Sequence, residues 1–209
     1  MLSAGPVPMS PDVFLSATTF ALAGSFTPGP NNTMLLASGV NYGFRRTLPH
    51  IAGITIGYAV MFAAVALGLG SLFTMQPLLY TALKIASSIY LLWLAWCIAT
   101  ATEPGEGAVE RPPLTFLQAA LFQWVNPKGV LLGIAASANF LDPKNLSVDL
   151  PIILALIIVM SLASASTWAL FGQGLRGFLA PPGRLKIFNR VMGLALVASL
   201  WPLLGAHAL

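Results

Sequence analysis

The sequence contains few charged residues and only one cysteine, and these shortages exclude several classes of protein. Charged residues make up 8% of the 209 residues, apolar residues make up 57%, and the mean hydropathy is +0.83. A soluble domain carries about 25% charged residues, so a soluble globule is excluded. Because Cys97 is the only cysteine, an internal disulfide and the cysteine pair of a thiol–disulfide shuttle are excluded as well.

Motifs for catalysis and for metal or cofactor binding are also missing. The two histidines are far apart and no cysteines or acids cluster, which argues against a metal site. No hydrolase motif of the type G-x-S-x-G or H-E-x-x-H occurs. The net charge of +4 arises from scattered basic residues, so nucleic acid is not an expected partner. We therefore predict no enzyme, no metal and no cofactor, with the lipid bilayer and a small-molecule substrate as partners.

Six apolar segments dominate the chain, each bounded by charge, proline or glycine. A hydrocarbon core of about 30 Å needs roughly 20 apolar residues per helix, and backbone groups in lipid must be paired internally. The lengths of the segments and their weak alternation favour helices over a barrel. The sequence thus predicts an all-α integral membrane protein with six transmembrane helices in one domain, residues 1–209. The predicted spans are roughly Val13–Val40, Leu48–Phe73, Pro77–Thr100, Leu114–Phe140, Leu150–Leu175 and Leu185–Ala206.

The basic residues are distributed unequally between the two sides of the membrane. Loops on one side hold Arg45, Arg46, Arg111, Arg176, Arg184, Lys186 and Arg190, and the opposite side holds only Lys144. By the positive-inside rule the richer side is cytoplasmic, so both termini are predicted to lie outside. The halves, about residues 11–100 and 114–207 joined by loop 101–113, then contribute three spans each and run inverted to one another. This 3+3 inverted repeat is a common plan of secondary transporters.

Prolines and glycines interrupt spans one and four. Span one contains Thr27-Pro28-Gly29-Pro30-Asn31-Asn32, and span four contains Gln123-Trp124-Val125-Asn126-Pro127-Lys128-Gly129. Proline removes a backbone donor and clashes with the preceding turn, so each break frees polar backbone groups. At 1.5 Å per residue each break falls about 20 Å into its span, near the bilayer centre. Paired interruptions of this kind point to a transporter's substrate site, and two structural kinks are the alternative.

The residues at these breaks, together with two lysines within the spans, form the predicted substrate site. Lys128 lies deep in span four, and all acidic residues fall at span ends or in loops. A substrate carboxylate could therefore be its partner, aided by the half-helix that begins near Pro30. Freed carbonyls and amide side chains would bind a substrate ammonium. The role of Lys84 stays open, because its stem could reach the headgroups instead. The predicted substrate-binding residues are Pro28, Gly29, Pro30, Asn31, Asn32, Lys84, Gln123, Asn126, Pro127 and Lys128.

Short motifs spread along the chain resemble those of the LysE/RhtB family of amino-acid exporters. They are Thr27-Pro28-Gly29-Pro30-Asn31, Gly43-Phe44-Arg45-Arg46 with Gly53 and Gly57, Leu83-Lys84 with Tyr90-Leu91-Leu92, Asn126-Pro127-Lys128, and Asn189-Arg190-Val191 with Gly193. The resemblance covers nearly the whole chain and implies a six-helix exporter of amino acids driven by an ion gradient. Some members of that family carry an acidic residue just after Pro-Gly-Pro, where this chain has asparagines. This departure leaves the coupling ion open.

These observations predict a secondary transporter that exports small amino acids or related zwitterionic metabolites across the bacterial plasma (inner) membrane. A membrane structural or assembly protein without transport activity is the alternative, for which the paired breaks would be incidental. The spacing Gly53-x-x-x-Gly57 permits close helix approach, and a homo-oligomer is compatible with it. Packing within one chain is the favoured explanation of that spacing.

Overall fold

The computed structural model describes residues 9–70, 75–101, 112–181 and 183–201. All regular structure in these ranges is helical, as predicted. The helices are α1 (Pro11–Phe26), α2 (Pro30–Tyr42), α3 (Phe44–Ala64), α4 (Pro77–Ala99), α5 (Phe116–Val125), α6 (Pro127–Phe140), α7 (Leu146–Leu179) and α8 (Arg184–Ala198). A π-helical turn, Val65–Leu69, extends α3.

Three of these helices are long and apolar enough to cross a membrane on their own. They comprise α3 with its π-helical turn, most of α4, and α7, and they correspond to predicted spans two, three and five. The other described helices have between 10 and 16 residues, which is too short for a core of about 30 Å at 1.5 Å per residue. The arrangement of six spans therefore stays a prediction. The predicted span ends at Phe73 and Ala206 lie outside the described residues.

The helical backbone is interrupted at both predicted breaks. Helix α1 ends at Phe26 and α2 begins at Pro30, whereas α5 ends at Val125 and α6 begins at Pro127. Each second helix has proline at its first position, where a helix does not use the missing N–H and where φ is already suitable. Neither of these N-termini has a side-chain cap. The orphan N–H groups of their first turns are therefore available to other partners.

Glycines allow the helices to approach one another closely. A Cβ atom at Gly39 of α2 would overlap the carbonyl oxygen of Ala169 in α7. On α3, Cβ atoms at Gly53 and Gly57 would overlap the backbone of α5 in the same way. The predicted use of the Gly53-x-x-x-Gly57 motif for packing within one chain is thus confirmed. Helix α4 packs mainly against α8, and α3 also packs against α7.

Large apolar side chains cover the outer surface as well as the core. Leu78, Ile89 and Trp96 of α4 and Leu194 of α8 are between 65% and 78% exposed. Contiguous apolar faces of this kind are unfavourable in water, whereas they suit the hydrocarbon of a bilayer. The surface therefore agrees with the predicted membrane-protein class.

Candidate functional site

A cavity of about 90 Å³ lies between the two helix breaks. At about 10–15 Å³ per water molecule it has room for several waters or for a small solute. Most of its wall is apolar, and the polar part is contributed by the residues at the breaks together with Ser25, Tyr58, Ser161 and Ser164. The apolar part includes Phe20, Leu132, Phe140, Ile153 and Ile157.

The cavity brings together most of the residues predicted from the sequence. Those that line it are Gly29, Pro30, Asn31, Asn32, Gln123, Asn126 and Lys128. Pro28 is exposed and Pro127 is buried, and neither is part of the cavity wall. Lys84 lies half-buried on α4, a helix whose described residues contribute nothing to the wall. The structure therefore does not bring Lys84 to the other predicted residues.

The ammonium group of Lys128 reaches across the cavity to the first break. Its Nζ donates to the carbonyl oxygen and the hydroxyl oxygen of Thr27, each at 2.8 Å, and to the carbonyl oxygen of Pro28 at 3.4 Å. An ammonium has three donors, so all three are used. The sequence predicts that the carboxylate of the substrate is the partner of Lys128. The structure instead places Lys128 on the oxygens that were predicted to bind a substrate ammonium.

Two amide side chains form a second link between the breaks. Asn31 Nδ2 donates to Gln123 Oε1 at 2.8 Å, and Gln123 Nε2 donates back to Asn31 Oδ1 at 3.2 Å. Gln123 is completely buried, and its Nε2 also donates to the carbonyl oxygen of Ala119 at 2.9 Å. The pair therefore holds the start of α2 against the end of α5.

The carbonyls left free at the end of α1 are satisfied by side chains. Asn32 Nδ2 donates to the carbonyl oxygens of Ser25 and Thr27, at 2.8 and 2.9 Å. Ser164 Oγ of α7 donates to Ser25 O at 2.8 Å. Asn32 therefore stabilises the first break from within, because the carbonyls at the end of a helix have no partner inside that helix.

Asn126, at the second break, retains an acceptor without a partner. It is 3% exposed and lines the cavity, and its Nδ2 lies 3.5 Å from Gln123 Oε1. Its Oδ1 has no hydrogen-bond partner among the described residues. A buried oxygen without a partner is costly, so this atom is suited to accept from a bound donor.

The electrostatic character of the cavity is positive. Among the described residues that line it, Lys128 is the only charged one. The first turns of α2 and α6, at Asn31 and Asn32 and at Lys128 and Gly129, also face the cavity. Uncapped helix N-termini carry partial positive charge and bind anions. The arrangement can thus hold a carboxylate, while its carbonyl and amide oxygens can hold an ammonium.

Several cavity residues were not predicted from the sequence. Tyr58 on α3 and Ser161 and Ser164 on α7 line the cavity. The two serines are three residues apart, so they lie on one face of α7. Polar residues spaced in this way within an apolar helix are a signal that could have identified them. The sequence presents Thr27 only as part of a motif, whereas in the structure its two oxygens accept hydrogen bonds from Lys128 Nζ.

A helical membrane protein with a polar cavity between two interrupted helices has the features expected of a small-solute transporter. A family model described as LysE type translocator matches residues 22–199. Cysteine/O-acetylserine efflux proteins of Escherichia coli (strain K12) and Shigella sonnei (strain Ss046) are each 30% identical to the chain over 190 residues, 90% of this chain and 96% of the relative. The protein of the same name from Escherichia coli O139:H28 (strain E24377A / ETEC) is 29% identical over the same share of each chain. No solved structure matches the chain.

The chain belongs to the LysE type translocator family. The resemblance to LysE/RhtB exporters and the function in amino-acid export that it implied are thereby confirmed. The alternative of a structural or assembly protein without transport activity is not favoured.

Proposed function

We propose that this protein is a secondary transporter, not an enzyme, that exports small neutral amino acids and related zwitterions across the bacterial plasma membrane. The observation that carries the proposal is the cavity between the two helix breaks, whose polar groups match both ends of a zwitterion. The names of the relatives support this substrate class, because cysteine and O-acetylserine are both small neutral amino acids.

The substrate's carboxylate binds between the two uncapped helix N-termini. Backbone N–H groups of Asn31 and Asn32 in α2, and of Lys128 and Gly129 in α6, occupy first-turn positions that have no partner within a helix. Both first turns line the cavity. A carboxylate between them accepts hydrogen bonds from fixed dipoles that need no reorganisation.

The substrate's ammonium binds on the oxygen-rich side of the same cavity. Asn126 Oδ1 is buried there without a partner in the described part of the chain. The carbonyl oxygens of Thr27 and Pro28 lie at the first break, within reach of the Lys128 ammonium. An α-ammonium bound there donates its hydrogen bonds to these protein oxygens, in place of the water oxygens that solvate it outside the site.

The two halves of the chain form a 3+3 inverted repeat, in which α1 with α2 and α5 with α6 each make one broken span near the bilayer centre. The packing supports this assignment, since the elements that would correspond, α3 with α7 and α4 with α8, pack against each other. Corresponding elements meet in this way across a pseudo-twofold axis. Residues 1–209 then form one transporter domain.

With both termini outside, the cavity faces the outer side of the membrane. It extends from the breaks along α1 and α6, the outer halves of the broken spans. The inner halves are held closed, since α2 packs extensively on α7 and α5 on α3. Asn41 and Asn189 exchange amide hydrogen bonds at 2.8 and 3.1 Å between α2 and α8. This arrangement suits the outward-facing state of an alternating-access cycle.

The orientation can be tested with single cysteines in a Cys97→Ala background. Thr102→Cys should react with a membrane-impermeant thiol reagent only after the cells are lysed, because its loop is cytoplasmic. Lys144→Cys should react in intact cells. The Cys97→Ala protein alone is the control for background labelling. The opposite labelling pattern would contradict the inverted repeat.

The transport proposal is tested by counterflow in proteoliposomes. Vesicles loaded with unlabelled O-acetylserine should transiently accumulate labelled O-acetylserine, and protein-free vesicles should not. Competition separates the two ends of the substrate: ethanolamine lacks the carboxylate and N-acetylserine lacks the ammonium. Each should compete at least about tenfold less well than serine, because one set of polar groups is left unpaired. A folded protein that exchanges no neutral amino acid would contradict the proposal.

A further inference from the structure

The contacts of Lys128 indicate a role for this side chain beyond the positive charge that it gives to the cavity. Its Nζ makes three contacts with one short segment, the Thr27 carbonyl and hydroxyl oxygens at 2.8 Å and the Pro28 carbonyl oxygen at 3.4 Å. No described acidic side chain lines the cavity. The lysine is therefore held by neutral oxygens that a helix break has freed, and not by an ion pair.

The α-ammonium of an amino acid has the same chemistry as the end of this side chain. Both groups are –NH₃⁺ with three donors, and both fit three oxygens at hydrogen-bond distance. Two such cations cannot share the same acceptors, since one ammonium already uses all three oxygens and two like charges at this distance repel each other. We propose that the Lys128 ammonium is a tethered occupant of the substrate's ammonium position, and that substrate and protonated Lys128 exclude each other there.

This inference rests on the proposed function and extends it to the coupling ion. When the substrate's ammonium takes the Thr27 and Pro28 oxygens, Lys128 stays in the cavity as a neutral amine. This step takes place while the site is open to the cytoplasm: one N–H bond at Nζ breaks, the electron pair remains on Nζ, and the proton passes to water on the cytoplasmic side. The ammonium position holds one positive charge before and after the exchange, and the substrate's carboxylate lies on the helix N-termini. Return of the proton from the outer side displaces the substrate outward, so one proton enters for each zwitterion that leaves.

Among the titratable groups around the cavity, Lys128 is the one that is placed to release and take up the proton. The helices that form the cavity carry other titratable or charged side chains, of which only Tyr58 lines the wall. They are Asp12 of α1, Tyr42 of α2, Arg45, Arg46, His50 and Tyr58 of α3, and Asp149 and Arg176 of α7. Asp149 is buried but accepts from the backbone N–H of Asp142 and from Asn145 Nδ2, each at 3.1 Å. Neither acid is part of the cavity wall.

Gly29 provides the space in which the lysine crosses the break. A Cβ atom on Gly29 would lie 2.9 Å from Lys128 Cδ and 3.2 Å from Nζ. The backbone of Gly29 is extended, which any residue can adopt. An alanine at this position should therefore fold and displace only the flexible end of the lysine side chain. Gly29→Ala is thus a second way to remove the tethered ammonium without changing the charge of the protein.

The first experiment uses the unaltered protein in weakly buffered detergent solution with O-acetylserine, whose side chain does not titrate. Binding should release about one proton per substrate, and the affinity should rise up to about tenfold per pH unit between about pH 6 and 7, because proton and substrate affinities are reciprocally linked. Binding without proton release would overturn the inference and leave the proposed function intact. Absence of both binding and counterflow would overturn the proposed function itself.

The second experiment compares variants. Lys128→Met should bind O-acetylserine at least as tightly as the unaltered protein, without proton release, and should retain counterflow while accumulation driven by a pH gradient falls at least about tenfold. Gly29→Ala should change in the same direction. Lys144→Met, which alters an exposed lysine, should behave as the unaltered protein. If folded Lys128→Met and Gly29→Ala both lose binding, Lys128 is a direct substrate ligand and the inference is wrong.

Discussion

Replacement of Gln123 by methionine is expected to slow amino-acid exchange about a hundredfold while the protein remains folded. Gln123 is completely buried, and it exchanges two hydrogen bonds with Asn31 across the two helix breaks. Methionine is about as long as glutamine, but its thioether cannot donate a hydrogen bond and accepts one only weakly. An unpaired buried amide costs about 1–3 kcal/mol, and 1.4 kcal/mol corresponds to a factor of ten. The start of α2 would then lose its fixed position beside the cavity.

The measurement is the initial rate of counterflow per folded protein, with folding judged by elution profile and thermal stability in detergent. Gln76→Met is the matched control, because Gln76 is exposed at the start of α4 and makes no side-chain cap. Gln123→Glu should recover part of the rate, since it keeps an acceptor for Asn31 Nδ2. Exchange by folded Gln123→Met at the rate of the unaltered protein would show that the amide pair is only structural.

The positions of the helix breaks were predictable because proline acts locally. A proline cannot donate to the preceding turn, whatever surrounds it, and the helices stop just before Pro28 and Pro127. Within the first break, α2 begins at Pro30 rather than at Pro28. Proline is favoured at the first position of a helix, which accounts for a helix that starts at a proline. The sequence Pro-Gly-Pro alone does not predict which of its two prolines occupies that position.

The partners of Lys128 and the place of Lys84 were not predictable, because they depend on tertiary packing. Thr27 and Lys128 are separated by 101 positions in the sequence, and only the packing of the two breaks sets their distance. The sequence predicts Lys84 as a site residue because it is charged and lies within an apolar span, but this rule does not say which way a helix faces. The packing of α4 against α8 places Lys84 on a helix outside the cavity wall.

Lysine and arginine are expected to exchange at least about tenfold more slowly than neutral amino acids. A cationic substrate brings a second positive charge into a cavity in which no described wall residue is acidic. An unpaired charge at the bilayer centre costs at least about 3 kcal/mol on insertion scales, and 1.4 kcal/mol already gives a tenfold difference. The carbonyl oxygens at the first break hold one ammonium at a time. A side-chain cation would be left without a partner.

The same argument predicts that Asn31→Asp admits cationic substrates. The new carboxylate would stand beside Gln123 in the cavity wall and supply the missing negative charge, so the ratio of lysine to threonine exchange should rise about tenfold or more. Asn139→Asp makes the same change at an exposed site on α6 outside the cavity, and the ratio should not change there. Counterflow with labelled lysine and threonine measures both variants.

Equal handling of lysine and threonine by the unaltered protein would mean that an acid already serves the site. Asp149 is then the residue to neutralise, because it is buried one turn before Ile153 of the cavity wall and on the same face of α7.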